Sequence, residues 1–170
     1  MTARSILVLG GARSGKTSRA LALCDTFSQR IYIATAQAHD EEMEARIAAH
    51  KSERGDLWTT IEAPLDLPQA IRDLPRTDAV AVVDCLTLWL SNLMGAERDI
   101  GEETEKLCRT IAEAPCTLIL VSNEVGLGIV PENALARAFR DHQGRLNQAV
   151  AATADRVELM AAGLPLLLKG

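Results

Sequence analysis

The segment Gly10–Thr17 constrains the fold of this chain more than any other part of its sequence. It reads Gly-Gly-Ala-Arg-Ser-Gly-Lys-Thr and fits the pattern G-x-x-x-x-G-K-[ST], which is typical of a phosphate-binding loop. The apolar run Ile6–Leu9 before it predicts a buried strand, and Ser18–Phe27 after it has the apolar spacing of a helix. This order of strand, glycine-rich loop and helix favours phosphate binding over the alternative, a glycine turn that only enters a helix.

The residue types of this loop suit an anion site. Gly10 and Gly15 permit backbone angles that let successive N–H groups point inward, towards a phosphate. Lys16 is expected to reach the β- and γ-phosphates, and the Thr17 hydroxyl is expected to bind Mg²⁺. The predicted nucleotide contacts of the loop are Gly10, Gly11, Ala12, Arg13, Ser14, Gly15, Lys16 and Thr17.

Strand-like and helix-like segments alternate along the rest of the chain. The predicted strands are Arg30–Thr35, Leu57–Glu62, Ala79–Asp84 and Thr117–Ser122, followed by a closing hairpin of Arg156–Leu159 and Leu164–Leu168. The predicted helices are His39–Glu53, Leu65–Leu74, Leu86–Met94, Gly101–Ala114 and Glu132–Thr153. We therefore predict one α/β domain over residues 1–170, a RecA-like, P-loop NTPase-like three-layer sandwich with a mainly parallel central sheet.

Asp84 is the second candidate for phosphate chemistry. It ends the apolar run Ala79–Asp84, as the carboxylate of a Walker B strand does, where it supports Mg²⁺ directly or through water. Any buried strand can end in aspartate, but together with the phosphate loop this position favours a metal role. We therefore predict that Thr17 and Asp84 hold the metal.

His50 lies on the predicted helix His39–Glu53 among the cations Arg46, Lys51 and Arg54. Neighbouring cations disfavour the imidazolium form, and they also suit a polyphosphate. A neutral imidazole is a nucleophile near pH 7 and can attack a phosphorus atom. From the residues alone, a structural histidine on a helix face remains the alternative.

Composition limits the remaining function classes. The net charge of −5 argues against general nucleic-acid binding, which favours a basic surface. No apolar run approaches the length of a membrane span. The four cysteines have no metal-ligand spacing, so we expect reduced, buried thiols in a cytoplasmic protein.

Several motifs together carry a family resemblance across nearly the whole chain. They are the phosphate loop, Tyr-Ile-Ala-Thr-Ala-Gln from position 32, Glu-Met-Glu-Ala-Arg-Ile-Ala-Ala-His-Lys from position 42, Asn-Glu-Val-Gly-Leu-Gly-Ile-Val-Pro-Glu-Asn from position 123, and Phe-Arg-Asp-His-Gln-Gly-Arg-Leu-Asn-Gln from position 139. In this combination the chain resembles the bifunctional adenosylcobinamide kinase/adenosylcobinamide-phosphate guanylyltransferase family of cobalamin synthesis.

The resemblance implies a two-step enzyme with Mg²⁺, ATP and GTP. It would phosphorylate adenosylcobinamide and then transfer GMP from GTP to that phosphate, through a guanylylated His50. Such an enzyme would be a homotrimer with active sites near subunit boundaries. The implied nucleotide contacts beyond the phosphate loop are Ala34, Thr35, Ala36, Lys51, Ser52, Glu53, Arg54, Glu62 and Asp84.

Three further residues are candidates for the corrinoid substrate. Glu124 lies in the glycine-rich segment after a predicted strand, and Arg140 and Asn147 share a face of the last helix. For the helix residues, a solvated face is the alternative interpretation. Two competing functions also stay open: a monofunctional P-loop kinase of a small metabolite, and a nucleotide-dependent binding or assembly module.

Overall fold

A computed structural model describes residues 4–37 and 57–170 of the chain. The described strands are β1 (Ser5–Gly10), β2 (Gln29–Ala34), β3 (Trp58–Glu62), β4 (Ala79–Asp84), β5 (Thr117–Asn123), β6 (Arg156–Ala161) and β7 (Leu164–Lys169). The described helices are α1 (Lys16–Ala22), α2 (Leu67–Arg72), α3 (Leu86–Gly95), α4 (Ile100–Ala112) and α5 (Ala134–Thr153). The predicted helix His39–Glu53, which carries His50, lies outside the described residues.

The seven described strands form one sheet in the order β3-β2-β4-β5-β1-β6-β7. Its neighbouring strands pair in parallel except β6 and β7, which form an antiparallel hairpin. Parallel strands separated by helices are the architecture that the alternating pattern predicts. The mainly parallel sheet and the closing hairpin are therefore confirmed.

Helices cover both faces of the sheet, because its central strands are apolar on both sides. In β1, Leu7 and Leu9 pack into the larger core with α2, α3, α4 and α5. Ile6 and Val8 point to the other face, where the smaller core includes Ala20 of α1. Successive residues of a strand face opposite sides, so a continuous aliphatic run is what two covered faces require.

Most helix boundaries differ from the sequence predictions by one or two residues, and the end of α1 differs by five. Helix α1 ends at Ala22, five residues before the predicted end, and the chain continues as turns. Helix α5 begins at Ala134, two residues after the predicted start, because the Asn133 side chain accepts hydrogen bonds from the N–H groups of Leu135 and Ala136. An N-cap asparagine that satisfies these amides fixes the first helical residue.

The carboxyl ends of the parallel strands meet at one edge of the sheet. Ala34 of β2 lies in register with Glu62 of β3 on one side and with Asp84 of β4 on the other. Gly10 of β1 lies in register with Asn123 of β5. This is the edge at which open α/β sheets bind ligands. Within residues 4–37 and 57–170, no helix has both the length and the apolar character of a membrane span.

Candidate nucleotide-binding site

The phosphate loop connects the end of β1 to the start of α1, as its motif predicts. There is no room for a side chain at Gly10. A Cβ at this position would lie 2.5 Å from Ser14 Oγ and 2.8 Å from the Met160 carbonyl oxygen. Any side chain would therefore displace the loop or the neighbouring strand β6. The first glycine of the motif thus allows the loop to fold back closely over the sheet.

Lys16 lies buried within the phosphate loop, where its ammonium group can bind an anion. Its side chain is buried, with 8% of the residue exposed, and its Nζ donates a hydrogen bond to the Gly11 carbonyl within the loop. Burial lowers the pKa of Lys16, while the neighbouring Cys85 and Asp84 act in the opposite direction. A polyphosphate in the loop would add the negative charge that a desolvated ammonium group favours.

Asp84 faces the phosphate loop at the end of β4. Its Oδ2 accepts hydrogen bonds from the Tyr32 hydroxyl at 2.7 Å and from Thr17 Oγ1 at 3.3 Å. The structure thus brings the two predicted metal-binding side chains, Thr17 and Asp84, into contact. Tyr32, which sequence reasoning did not select, holds the carboxylate from the neighbouring strand β2.

The donor set around Asp84 fits Mg²⁺. This ion prefers oxygen ligands and keeps several waters, and in nucleotide sites it takes one or two protein oxygens plus phosphates. Thr17 and Asp84 supply such oxygens. The described part of the chain has no group of three or more His, Cys, Asp or Glu side chains that would hold a metal alone. A metal here would accordingly be completed by the nucleotide and by water.

Ala34 ends β2, and Thr35 and Ala36 follow it along the same edge, but Thr35 turns inward. Thr35 Oγ1 donates to the Cys85 carbonyl at 2.7 Å and accepts from the Cys85 N–H at 2.8 Å. The Thr35 N–H donates to the Asp84 carbonyl at 3.2 Å. Thr35 is fully buried, so its side chain secures the chain after Asp84 rather than lining an open surface.

The remaining predicted nucleotide contacts divide into two groups. Glu62 ends β3 as an exposed residue, one strand beyond Ala34 on the same edge. The second group lies outside the described residues and consists of Lys51, Ser52, Glu53 and Arg54; the predicted nucleophile His50 lies outside them as well. The structure therefore brings together the phosphate loop, Asp84 and the ends of β2 and β3.

The three candidate substrate residues lie in different environments. The Glu124 N–H donates to the Gly10 carbonyl at 3.0 Å, which places Glu124 beside the start of the phosphate loop. Arg140 is bound to Asp141, with Nη2 and Oδ1 3.1 Å apart. Asn147 is only 6% exposed, so the alternative of a solvated helix face is wrong for this residue.

A buried polar network explains the position of Asn147. Asn147 Oδ1 accepts from Ser122 Oγ at 2.7 Å and from Gln143 Nε2 at 2.9 Å. Asn147 Nδ2 donates to the Asn123 carbonyl at 3.1 Å, and the Asn123 N–H donates to Thr87 Oγ1 at 2.8 Å. These bonds fix the end of β5, from which the loop carrying Glu124 departs.

The sequence matches the family described as "Cobinamide kinase / cobinamide phosphate guanyltransferase" over residues 6–168. This chain belongs to that family. It is 46% identical over 167 residues to the bifunctional adenosylcobalamin biosynthesis protein CobP of Pseudomonas aeruginosa, with 96% of each chain covered. It is 43% identical over 180 residues to the bifunctional adenosylcobalamin biosynthesis protein CobU of Salmonella typhimurium, covering 96% of this chain and 99% of the relative.

Solved structures of distant proteins show the fold of this cobinamide kinase family member. The P4 protein from bacteriophage phi6 in complex with ADP superposes with a TM-score of 0.53 at 16% identity, over 95% of this chain and 52% of that one. An ATPase from a type III secretion system superposes with a TM-score of 0.55 at 12% identity, over 92% of this chain and 51% of that one. The chain spans about half of each of these proteins. Their likeness confirms the predicted RecA-like fold.

Replacing Asp84 with asparagine is expected to raise the Mg²⁺ concentration for half-maximal activity of this cobinamide kinase family member about tenfold. The neutral amide keeps an oxygen for Tyr32 or Thr17 but loses the charge that favours the cation. A Mg²⁺ titration at saturating nucleotide measures this shift. Glu105→Gln on α4 is the matched control, because Glu105 is an exposed carboxylate. An unchanged titration for Asp84→Asn would contradict the metal role.

Helix α1 is attached to the sheet by a buried ion pair. Arg19 Nε and Nη2 donate to the two oxygens of Glu158 on β6, at 2.8 Å and 2.9 Å. The Glu158 side chain is only 1% exposed, and Arg156 Nη2 lies 2.6 Å from Glu158 Oε1. The hydrogen bond from Arg19 is the chief cause that lowers the pKa of Glu158, and burial acts in the opposite direction.

This lowered pKa predicts an acid-dependent loss of stability. Glu158 stabilises the fold fully above its unfolded pKa of about 4.3, and this contribution disappears as the pH falls through the lower folded pKa. Glu158→Gln is expected to reduce the free energy of unfolding by about 2 kcal/mol at pH 7 and to flatten its fall below about pH 4.3. Urea denaturation across this range measures both effects. Parallel curves for variant and wild type would exclude Glu158 as a source of acid sensitivity.

Proposed function

We propose that this chain catalyses both reactions of its family at the described edge of the sheet. It phosphorylates adenosylcobinamide with ATP or GTP, and it then transfers GMP from GTP to the resulting phosphate, releasing pyrophosphate. The convergence of Lys16, Thr17 and Asp84 on one phosphate loop is the observation that carries the proposal. Membership of the cobinamide kinase family supplies the substrate class.

The kinase step requires a γ-phosphate held in line with the substrate hydroxyl. Loop N–H groups and the buried Lys16 ammonium bind the phosphates, and Thr17 and Asp84 would hold Mg²⁺. The cation, when bound, neutralises charge that develops on the transferred group. Tyr32 and Thr17 keep the Asp84 carboxylate oriented towards the loop, so it needs no rearrangement during the reaction.

The guanylyl step requires attack at the α-phosphorus, with pyrophosphate as the leaving group. We propose that a neutral His50 imidazole attacks, forming a phosphorus–nitrogen bond while the bond from the α-phosphorus to the bridging oxygen breaks. The phosphate of the cobinamide product then attacks the same phosphorus and releases His50. Covalent catalysis of this kind divides one transfer into two displacements. Lys51, Ser52, Glu53 and Arg54 are proposed to contact the same nucleotide.

The corrinoid is proposed to lie beside the loop after β5. Glu124 is bonded through its backbone to Gly10 at the start of the phosphate loop, so a substrate that meets Glu124 is near the phosphates. Arg140 offers a cation for the corrinoid phosphate. Asn147 is proposed to act on the same region through the Asn123 carbonyl that it holds.

We further propose a homotrimer that works in the cytoplasm. The exposed leucines of the edge strand β7, at 50–71% exposure, support contact between subunits. The four cysteines are free thiols. Burial raises the pKa of Cys24 to about 12 and that of Cys85 to about 11, which supports thiols that stay protonated in a reducing compartment.

Mass spectrometry of the intact protein after incubation with GTP and Mg²⁺ tests the guanylyl step directly. The mass is expected to increase by one GMP moiety, and subsequent addition of adenosylcobinamide phosphate is expected to restore the original mass. In parallel, adenosylcobinamide with ATP should yield its phosphate. Kinase activity without the GMP increment would instead indicate a monofunctional kinase. Absence of both, with a nucleotide-dependent change in oligomeric state, would indicate an assembly module.

A further inference from the structure

The turn between β6 and β7 lies directly against the phosphate loop. The Gly163 N–H donates a hydrogen bond to the Ser14 carbonyl at 3.1 Å. A Cβ added to Gly15 would already be in van der Waals contact with the hairpin, 3.4 Å from Gly163 Cα and 3.7 Å from Met160 Cε. A hairpin from the end of the chain thus contacts the middle of a motif near its beginning.

This turn has the backbone conformation that presents Gly163 to the loop. Ala162 and Gly163 both have positive φ, at 51° and 80°, as the central residues of a type I′ hairpin turn do. The hairpin is also held below the turn, where Met160 pairs with Gly10 and Glu158 binds Arg19 of α1. The Gly163 N–H is therefore a fixed donor on a rigid support.

We propose that this turn positions the phosphate loop for nucleotide binding. Within a trans peptide the C=O and N–H point in opposite directions. Holding the Ser14 carbonyl towards the hairpin therefore turns the Gly15 N–H away from it, towards the anion. Gly163 is a positioning residue: it touches no phosphate itself and acts through the Ser14–Gly15 peptide. The proposal rests on the proposed function only in that the loop binds nucleotide.

An ester bond in place of the Ala162–Gly163 amide tests this role, because it removes the Gly163 N–H and leaves the side chains unchanged. Ligation of a synthetic peptide 161–170 to residues 1–160 through Ala161→Cys makes the variant accessible, since Ala161 is exposed. The same ligated chain with an ordinary amide is the matched control. Titration calorimetry with non-hydrolysable GTP and ATP analogues and Mg²⁺ measures binding, and thermal unfolding without nucleotide measures the fold.

We expect the ester to raise Kd about fivefold for both nucleotides, the scale of one net hydrogen bond. Equal factors are expected because the base is not involved, and the unfolding midpoint should fall by no more than about 2–4 °C, the effect of one net hydrogen bond on a chain of this size. An unchanged Kd would overturn the proposal. A chain that binds nucleotide but converts no corrinoid would refute the proposed function and leave the role of the turn intact.

Gly163→Ala offers a recombinant test. A Cβ at Gly163 meets nothing within 4 Å, so the variant strains only the backbone at positive φ. We expect KM for nucleotide to rise roughly tenfold in both reactions, with kcat changed less. Gly95→Ala is the control, since its Cβ also meets nothing within 4 Å and its φ is not positive. Equal KM values for the two variants would contradict the proposal. If Gly163→Ala fails to fold, the nucleotide Kd of the ester variant tests the proposal instead.

Discussion

His50→Ala is expected to abolish both covalent guanylylation and the transfer of GMP to adenosylcobinamide phosphate. Without the imidazole there is no nucleophile to accept the α-phosphorus. The kinase activity of the same preparation should survive, because γ-phosphate transfer uses the substrate hydroxyl and needs no histidine adduct. Intact-mass spectrometry and the two activity assays, performed on one preparation, show whether guanylyl transfer is lost while kinase activity remains.

The pH dependence of labelling provides a second readout. Labelling should decrease at acid pH, since protonation removes the nucleophilic lone pair; a free imidazole has a pKa of about 6.5. A phosphoramidate is itself acid-labile, so labelling pH and quench pH must be varied separately. His142→Ala, which removes a histidine of α5, should retain the GMP increment. Full guanylyl transfer by His50→Ala would exclude the assignment even with the fold intact.

Lys16→Ala is expected to lower kcat/KM of both reactions by about 10²–10³-fold, the usual effect of removing one preorganised donor. Both steps use a triphosphate in the same loop, so both should fall. The buried position of Lys16 strengthens the effect, because a charge acts more strongly where water is excluded. Loss of both activities distinguishes Lys16→Ala from His50→Ala, which is expected to lose guanylyl transfer and to keep kinase activity.

Lys106→Ala is the matched control for this experiment. Lys106 lies on α4, is 39% exposed and pairs with the exposed Glu102 and with Glu103, whose side chain is 9% exposed. An exposed pair such as Lys106–Glu102 contributes little, and both partners of Lys106 lie on α4 itself, so both activities should remain near those of the wild type. Near-wild-type activity of Lys16→Ala in both assays would remove the phosphate loop from the mechanism.

The sequence predicts the parts of the site that lie within one continuous segment. The phosphate loop and the strand that ends in Asp84 each carry their signal locally, through glycine spacing and an apolar run. The alternation of strands and helices likewise predicts the mainly parallel sheet. These features are visible because neighbouring residues alone determine them.

Features that depend on pairing between distant segments could not be predicted. In the sequence, Tyr32 is only one more residue of an apolar strand. Its hydroxyl reaches Asp84 because β2 and β4 pair in parallel. Asn147 reads as part of a polar helix face, yet it is buried against Ser122. The contact of Gly163 with Ser14 also depends on the position of β6 beside β1.

The sheet order determines when during synthesis this protein acquires its ligand site. Strand β1, which ends in the phosphate loop, lies between β5 and β6, and both come from the last third of the chain. An emerging polypeptide therefore exposes its glycine-rich motif long before either flanking strand has left the ribosome. The described site is complete only after β5 and the β6–β7 hairpin have been synthesised and have joined the sheet beside β1.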